Sequence, residues 1–213
     1  MGSSRASQYC GIFWAMCRIG THRCCQKLCC QREPPPRPQY TAVCLGLSGA
    51  GKTTLLTLLC GEKNEEIVPT VGFSIKAVPL EDAVLNCKEL GGGSNIQPHW
   101  HRYYEGTEAI VFVLDSACSD SDLQEVSDVL STTLTHASLL GLPLLILASH
   151  QDKSSARDKD QLSDALNLDN LRAGRDTVLQ LCSRDDLASA KEGLTRLAQI
   201  LHTTTDSEED NRV

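Results

Sequence analysis

The most specific chemistry in the sequence lies in eight consecutive residues, Gly46-Leu47-Ser48-Gly49-Ala50-Gly51-Lys52-Thr53. They match G-x-x-x-x-G-K-[ST] at every fixed position. Glycines at this spacing let the backbone wrap so that successive N–H groups point inward at phosphate oxygens. A helix starting at Lys52 adds the positive end of its dipole. In such a cradle Lys52 reaches the β- and γ-phosphates, the Thr53 hydroxyl ligates Mg²⁺, and Ser48, Gly49, Ala50, Gly51 and Thr54 complete the wall. The bland alternative is a Gly-rich strand-to-helix turn that holds nothing. The complete eight-residue match in the right context favours a cradle for a nucleoside triphosphate.

That context comes from strand-like and helix-like segments that alternate along the chain. Tyr40–Leu47 is a short apolar run ending near glycine, as in a buried strand, and Lys52–Cys60 carries Leu55, Leu58 and Leu59 at helical spacing. Phe73–Val78 and Ala83–Glu89 predict two strands joined by a turn through Pro79-Leu80-Glu81-Asp82. The continuous apolar runs Ala109–Leu114 and Leu144–Ser149 predict strands covered on both faces. Between them Leu123, Val126, Val129, Leu130 and Leu134 repeat as a helix behind a Ser/Asp-rich cap. Thr177–Cys182 offers a last strand, and Ala190, Leu194, Leu197, Ala198 and Leu201 stripe a closing helix. The alternation predicts a three-layer α/β fold of the P-loop type, with a six-stranded, mostly parallel sheet. The nucleotide domain is expected over residues 40–203, followed by an acidic, solvated tail over 204–213.

Further segments occur in a telling order: Pro69-Thr70-Val71-Gly72-Phe73, then Leu90-Gly91-Gly92, then Gln151-Asp152. This order resembles the Ras-like small GTPases. Within them, "TVGFSIKAV", "ELGG", "HWHRYYEGTEAIVFVLDSA" and "LLILASHQDK" resemble segments of the ADP-ribosylation factor (Arf) family, over about residues 40–202. The resemblance implies GTP and GDP as ligands, with Mg²⁺. It implies that Thr70 is the switch I threonine, a second Mg²⁺ ligand, and that Gly91 and Gly92 form the switch II turn that senses the γ-phosphate. Asp152 would then accept from guanine N1–H and its amino group, a forked contact that adenine cannot complete. Cys182-Ser183-Arg184 falls where the family places a base-contacting loop. The family also implies protein effectors at the two switches, an exchange factor and a GTPase-activating partner.

The chain departs from that family at several functional positions. Switch II usually begins Asp-x-Gly-Gly-Gln and here reads Glu89-Leu90-Gly91-Gly92-Gly93. Glycine at 93 removes the side chain that orients the attacking water, so no residue is assigned as catalytic and GTP turnover is expected to be very low. Glu89 is one methylene longer than Asp, so the outer shell around Mg²⁺ is expected to shift or weaken. The guanine motif Asn-Lys-x-Asp reads Ser149-His150-Gln151-Asp152. Loss of the Asn amide is expected to remove a brace to the P-loop, with His150 lying against the base. His99 and His101, flanking Trp100, read as packing or surface residues rather than metal ligands.

Composition separates the two ends of the chain. Of 213 residues, 41% are apolar and 22% charged, which excludes global disorder. No run approaches about 18 consecutive apolar residues, the length of a membrane-spanning helix. The net charge of −7 argues against a protein that binds nucleic acid over its whole surface. Residues 1–39, however, hold six Lys or Arg against one acid, a local +5, leaving −12 on the remainder. Six of the eleven cysteines (Cys10, Cys17, Cys24, Cys25, Cys29 and Cys30) also lie in this segment. Residues 34–39 contain Pro-Pro-Pro-Arg-Pro, a semi-rigid spacer of about 15 Å that also fits a minimal PxxP ligand. Residues 1–33 thus form a basic, Cys-rich arm.

Cys10, Cys17 and Cys24 return to nearly one helical face, near Phe13, Trp14 and Leu28. Basic, apolar and thiol groups together suit a membrane surface. Disulfides do not suit a protein of cytosolic nucleotide, zinc would want C-x-x-C pairs, and no cleavage pattern follows for a signal peptide. S-palmitoylation, at Cys24, Cys25, Cys29 and Cys30 above all, is the preferred reading. Gly2 satisfies the first requirement for myristoylation, although Ala6 stands where Ser or Thr is usual. The sequence therefore predicts a GTP-dependent switch on the cytoplasmic face of Golgi, endosomal or plasma membranes, bound to lipid through this arm. The alternative is a non-enzymatic adaptor that binds nucleotide weakly and works through its switch surface. A P-loop ATPase or kinase is disfavoured by Asp152 and by the lack of a lid-like insertion.

Overall fold

The computed structural model describes residues 37–62, 70 and 72–210, with backbone alone over 205–210. Six strands form one sheet: β1 (Gln39–Leu45), β2 (Phe73–Pro79), β3 (Val84–Leu90), β4 (Ala109–Asp115), β5 (Leu144–Ser149) and β6 (Thr177–Leu181). Their order is β2-β3-β1-β4-β5-β6, with β2 antiparallel to β3 and every other pair parallel.

The helices are α1 (Lys52–Leu59), α2 (Asp120–Leu134), α3 (Lys159–Ala165), α4 (Leu168–Arg172) and α5 (Leu187–Asp210). Strand alternation sorts the core into two layers. Ala42 and Cys44 of β1, with Val111 and Val113 of β4, face Leu55 and Leu56 of α1 and Leu194, Leu197 and Leu201 of α5. Val43, Leu45, Ile110, Phe112 and Leu114 face the opposite side, against Leu123, Val126 and Leu130 of α2 and Leu162 of α3. Each fully buried Leu or Phe here contributes about 1.5–3 kcal/mol. The three-layer expectation is met.

The fold sets where ligands can sit. After β1 the chain turns to β2 and β3 on one side of the sheet, and then to β4, β5 and β6 on the other. Crevices at such a reversal, outside the carboxyl ends of parallel strands, are where open α/β sheets hold ligands. The loop after β1 lies there.

Several boundaries differ from expectation. β1 stops at Leu45 because Gly46 takes φ 143° and its α-carbon presses on the Val113 carbonyl, where a Cβ would lie 2.1 Å away. Residues 37–39, expected as part of the spacer, are already fixed to the sheet. Arg37 donates to Leu80 O (3.0 Å), and Pro38 O accepts from Val84 N (2.9 Å). The closing helix runs to Asp210, through most of the expected tail. Helices α3 and α4 were not foreseen, although Asp158 and Gln161 form a capping box that announces α3 in the sequence. The segment around His99 and His101 is a 3₁₀ helix, Gln97–Tyr103, with both histidines exposed and Trp100 buried.

Candidate nucleotide-binding site

Gly49 and Gly51 adopt φ 77° and 88°, conformations open to glycine at no steric cost, and curl residues 46–51 into a loop ahead of α1. The cleft beneath has a volume of about 440 Å³. Ser48, Gly49, Gly51, Lys52, Thr53 and Thr54 line one wall, and Thr70, Glu89, Gly91–Gly93, Asn95 and His150 line the others.

Lys52 is buried, and its Nζ donates to Gly46 O (2.8 Å) and Leu47 O (2.9 Å). Burial pulls its ammonium below the ordinary lysine range, with Cys44 and Glu89 acting in the opposite direction. The Cys44 thiol is itself pushed up to about 12 by burial and is uncharged at neutral pH.

Thr53 and Thr70 meet across the cleft, Oγ1 to Oγ1, at 3.1 Å. Both hydroxyls donate to Oε1 of Glu89, Thr70 from 3.3 Å and Thr53 in a short contact. With the Thr53 proton on Glu89, the single Thr70 proton is shared between Glu89 Oε1 and Thr53 Oγ1. Glu89 has no exposed surface, and its Oε2 has no hydrogen-bond partner among the described residues.

The turn after β3 packs on backbone. A Cβ on Gly91 would lie 2.4 Å from Thr70 O, and one on Gly92 would lie 2.5 Å from Gly46 O and from the Leu47 carbonyl carbon. Gly91 N donates to Gly72 O (2.9 Å), and Trp100 Nε1 donates to Gly91 O (2.9 Å). Switch I, switch II and the loop after β1 are therefore joined through positions that only glycine fits.

The guanine-motif residues separate into two places. Ser149 is buried behind the loop, and His150 lies on the cleft wall at φ 60°. Asp152 stands exposed at a second hollow of about 470 Å³, shared with Lys159, Cys182 and Ser183. Cys182 is buried in the core and its thiol is pushed up to about 12 by burial. Ser183 Oγ accepts from Asp186 N (3.0 Å) and shapes its own loop. Gly2, Cys24, Cys25, Cys29 and Cys30 lie outside the described residues.

Residues 34–201 match the profile of the ADP-ribosylation factor family. The chain belongs to the Arf family. ADP-ribosylation factor-like protein 15 of Mus musculus is 48% identical over 178 residues, which cover 84% of this chain and 87% of the relative. The Homo sapiens protein of that name is 47% identical, with the same coverage of each chain. ADP-ribosylation factor-like protein 3 of Chlamydomonas reinhardtii is 37% identical over 150 residues, 70% of this chain and 84% of that one. The solved Arl6 BBS3 small GTPase of Trypanosoma brucei, with bound nucleotide analogue GppNp, shares the fold at a TM-score of 0.69 and 23% identity. It covers 78% of this chain and 98% of that one.

Membership makes the chain a GTP-binding switch protein by family, and the structure shows what its departures do. Ser149 does not forfeit the brace to the P-loop, contrary to expectation. Its Oγ lies 2.8 Å from both Ala50 O and Leu114 O, within reach despite its length. Since that hydroxyl gives its proton to a carbonyl, the 2.9 Å contact with His150 Nδ1 assigns the proton there to the ring. Asp115 Oδ1, 3.4 Å away, faces the same nitrogen, and Asp115 Oδ2 accepts from Lys153 Nζ at 3.0 Å. Asp115 went unrecognised in the sequence, where the one signal was an acid closing an apolar strand.

Glu89 accepts from both threonine hydroxyls. For a divalent cation the donor set fits: Thr53 Oγ1, Thr70 Oγ1 and the Glu89 carboxylate beside them are hard oxygen groups in one place.

Proposed function

We propose that the chain is a membrane-associated, GTP-dependent switch of the Arf type with very low intrinsic hydrolysis. The observation that carries this reading is the convergence of Thr53, Thr70, Gly91 and Gly92 in one cleft beside a glycine at 93. Lys52 and the N–H groups of residues 49–54 bind the phosphates. Thr70 and the Gly91–Gly92 turn close on the γ-phosphate, ordering both switches for a protein effector, and GDP releases them. Asp152, exposed at its hollow, reads guanine. Bound at Thr53 and Thr70, Mg²⁺ supplies neutralisation of β- and γ-phosphate charge. With no glutamine at 93, the GTP state persists until a GTPase-activating partner acts, and an exchange factor reloads the site.

The +5 arm and its six cysteines support acylation at Cys24, Cys25, Cys29 and Cys30, with Gly2 as a second lipid site. One chain gives marginal binding, and a second makes it stable. Together with family membership this supports work in vesicle trafficking or signalling on the cytoplasmic face of Golgi, endosomal or plasma membranes.

The test is titration of GTP, GDP and ATP in Mg²⁺, followed by single-turnover hydrolysis. Micromolar or tighter GTP binding, weak ATP binding and negligible turnover are expected, and Lys52→Ala should abolish binding. Equal ATP affinity would remove the guanine reading. No saturable binding would leave the non-enzymatic adaptor. Acyl exchange on the wild type against a variant with all six arm cysteines changed to Ser should give signal only from the former.

A further inference from the structure

Gly93 brings no side chain to the cleft, and the space beside it holds an amide from further along the chain. The Gly93 carbonyl accepts from Ile96 N (2.8 Å) and Gln97 N (3.1 Å), which folds residues 93–97 into a closed turn. Gln97 Nε2 donates to Gly92 O (3.2 Å) and Trp100 Nε1 to Gly91 O (2.9 Å), so the turn is tied to the glycines before it. That turn brings Asn95 back over Gly93. Its Oδ1 lies 2.8 Å from where a Cβ at 93 would stand. The amide oxygen of a glutamine, three bonds along its side chain, stands roughly 3 Å from its own Cβ. Asn95 thus holds an amide oxygen as far from position 93 as a glutamine at 93 would. It also lines the phosphate cleft, together with Thr70, Gly91 and Gly92.

We infer that Asn95 is the catalytic residue of whatever GTP hydrolysis this chain performs, its amide orienting the attacking water from two positions beyond 93. This rests on the reading of the cleft as a GTP site. In the step, the water oxygen bonds to the γ-phosphorus, the bond to the bridging oxygen of GDP breaks, and the water's proton leaves with the released phosphate. The amide gives and takes no proton. Its oxygen accepts a hydrogen bond from the water and fixes the line of attack. Asn95 is exposed, so its amide is held by the turn rather than by packing, and turnover is slow rather than absent. Glycine at 93 and asparagine at 95 belong together, since a Cβ at 93 would crowd the amide out of this position.

A double-mutant cycle tests this. Single-turnover release of radiolabelled phosphate is followed over days for full-length wild type, Asn95→Ala, Gly93→Gln and Gly93→Gln/Asn95→Ala. Asn95→Ala should be about fivefold slower than the wild type, the worth of one hydrogen bond, with affinity for a non-hydrolysable GTP analogue retained. That loss should vanish once a glutamine at 93 supplies the amide. An equal loss in both backgrounds, no loss from the wild type, or a wild type that binds GTP and releases no phosphate overturns the inference and leaves the GTP reading standing. A wild type that binds no GTP overturns both. A second readout needs no turnover. The side-chain amide resonance of Asn95, assigned by its loss in Asn95→Ala, should differ between the GDP and GTP-analogue states, and a resonance that stays in place overturns the inference.

Discussion

Gly93→Gln tests whether the proposed slow hydrolysis comes from one missing side chain. The structure predicts that the replacement is tolerated. Gly93 lies outside the left-handed region, so a side chain brings no backbone strain. Among the described residues, the one non-neighbouring atom within 4 Å of its ideal Cβ is Asn95 Oδ1, at 2.8 Å. Asn95 is exposed, and its amide can swing aside at a cost of about 0.5–1.5 kcal/mol. Replacing glycine removes unfolded-state freedom and returns about 0.4–1 kcal/mol, so stability should hardly move. Activity should move. With its glutamine in place, Ras hydrolyses GTP at roughly 4 × 10⁻⁴ s⁻¹, a half-life of about half an hour. Gly93→Gln should approach that rate, at least tenfold above the wild type, which is about 1.4 kcal/mol off the barrier. The assay is single-turnover release of labelled phosphate from GTP-loaded protein, with Gly93→Gln/Asn95→Ala alongside to remove the steric contact. If both variants fold, bind GTP and hydrolyse no faster than the wild type, the missing glutamine does not set the rate. A wild type that already turns over within an hour refutes the reasoning outright.

Three further outcomes follow from particular contacts. Ser149→Ala strips one hydroxyl from the Ala50 and Leu114 carbonyls and from His150, a loss of about 1–3 kcal/mol that should speed GDP release by about 5- to 150-fold. Gly92→Ala cannot keep its approach to Gly46 O and the Leu47 carbonyl carbon, so proteolytic protection of the switch II turn by a GTP analogue should vanish while the circular dichroism spectrum is retained. Burial raises the Cys44 and Cys182 thiols from 9.0 to about 12, and these thiols stay protonated where the unfolded chain ionises. The unfolded state then holds fewer protons, so their contribution to stability is intact below pH 9 and is lost as pH climbs from 9 towards 12. Substituting either thiol by Ala should flatten a plot of Tm against pH over that window.

What the sequence made legible was what short stretches of chain dictate. The loop over residues 46–53 is specified by eight adjacent residues, and strands β4 and β5 by unbroken apolar runs, so each could be read without its neighbours. The roles of Thr70 and Asp152 rested on resemblance, because nothing in their local sequence points to a ligand. What stayed hidden depended on register and reach. Glu89 meets Thr53 and Thr70 only because β3 pairs with β1 so that Glu89 faces Cys44, a pairing no periodicity reveals. Ser149 looked too short to replace Asn, yet β5 ends with its Cβ close enough for a hydroxyl to reach the Ala50 carbonyl. These two departures share a direction. Each alters a side chain while keeping contact with the loop or the threonines that would hold phosphate and cation. At position 93, by contrast, the backbone leaves room for a side chain and the chain supplies none. Random erosion of a nucleotide site would be expected to strike the braces as readily as the water-orienting position. The contacts to the loop and the threonines are kept and the side chain at 93 is not, which is what the long-lived GTP state proposed above requires.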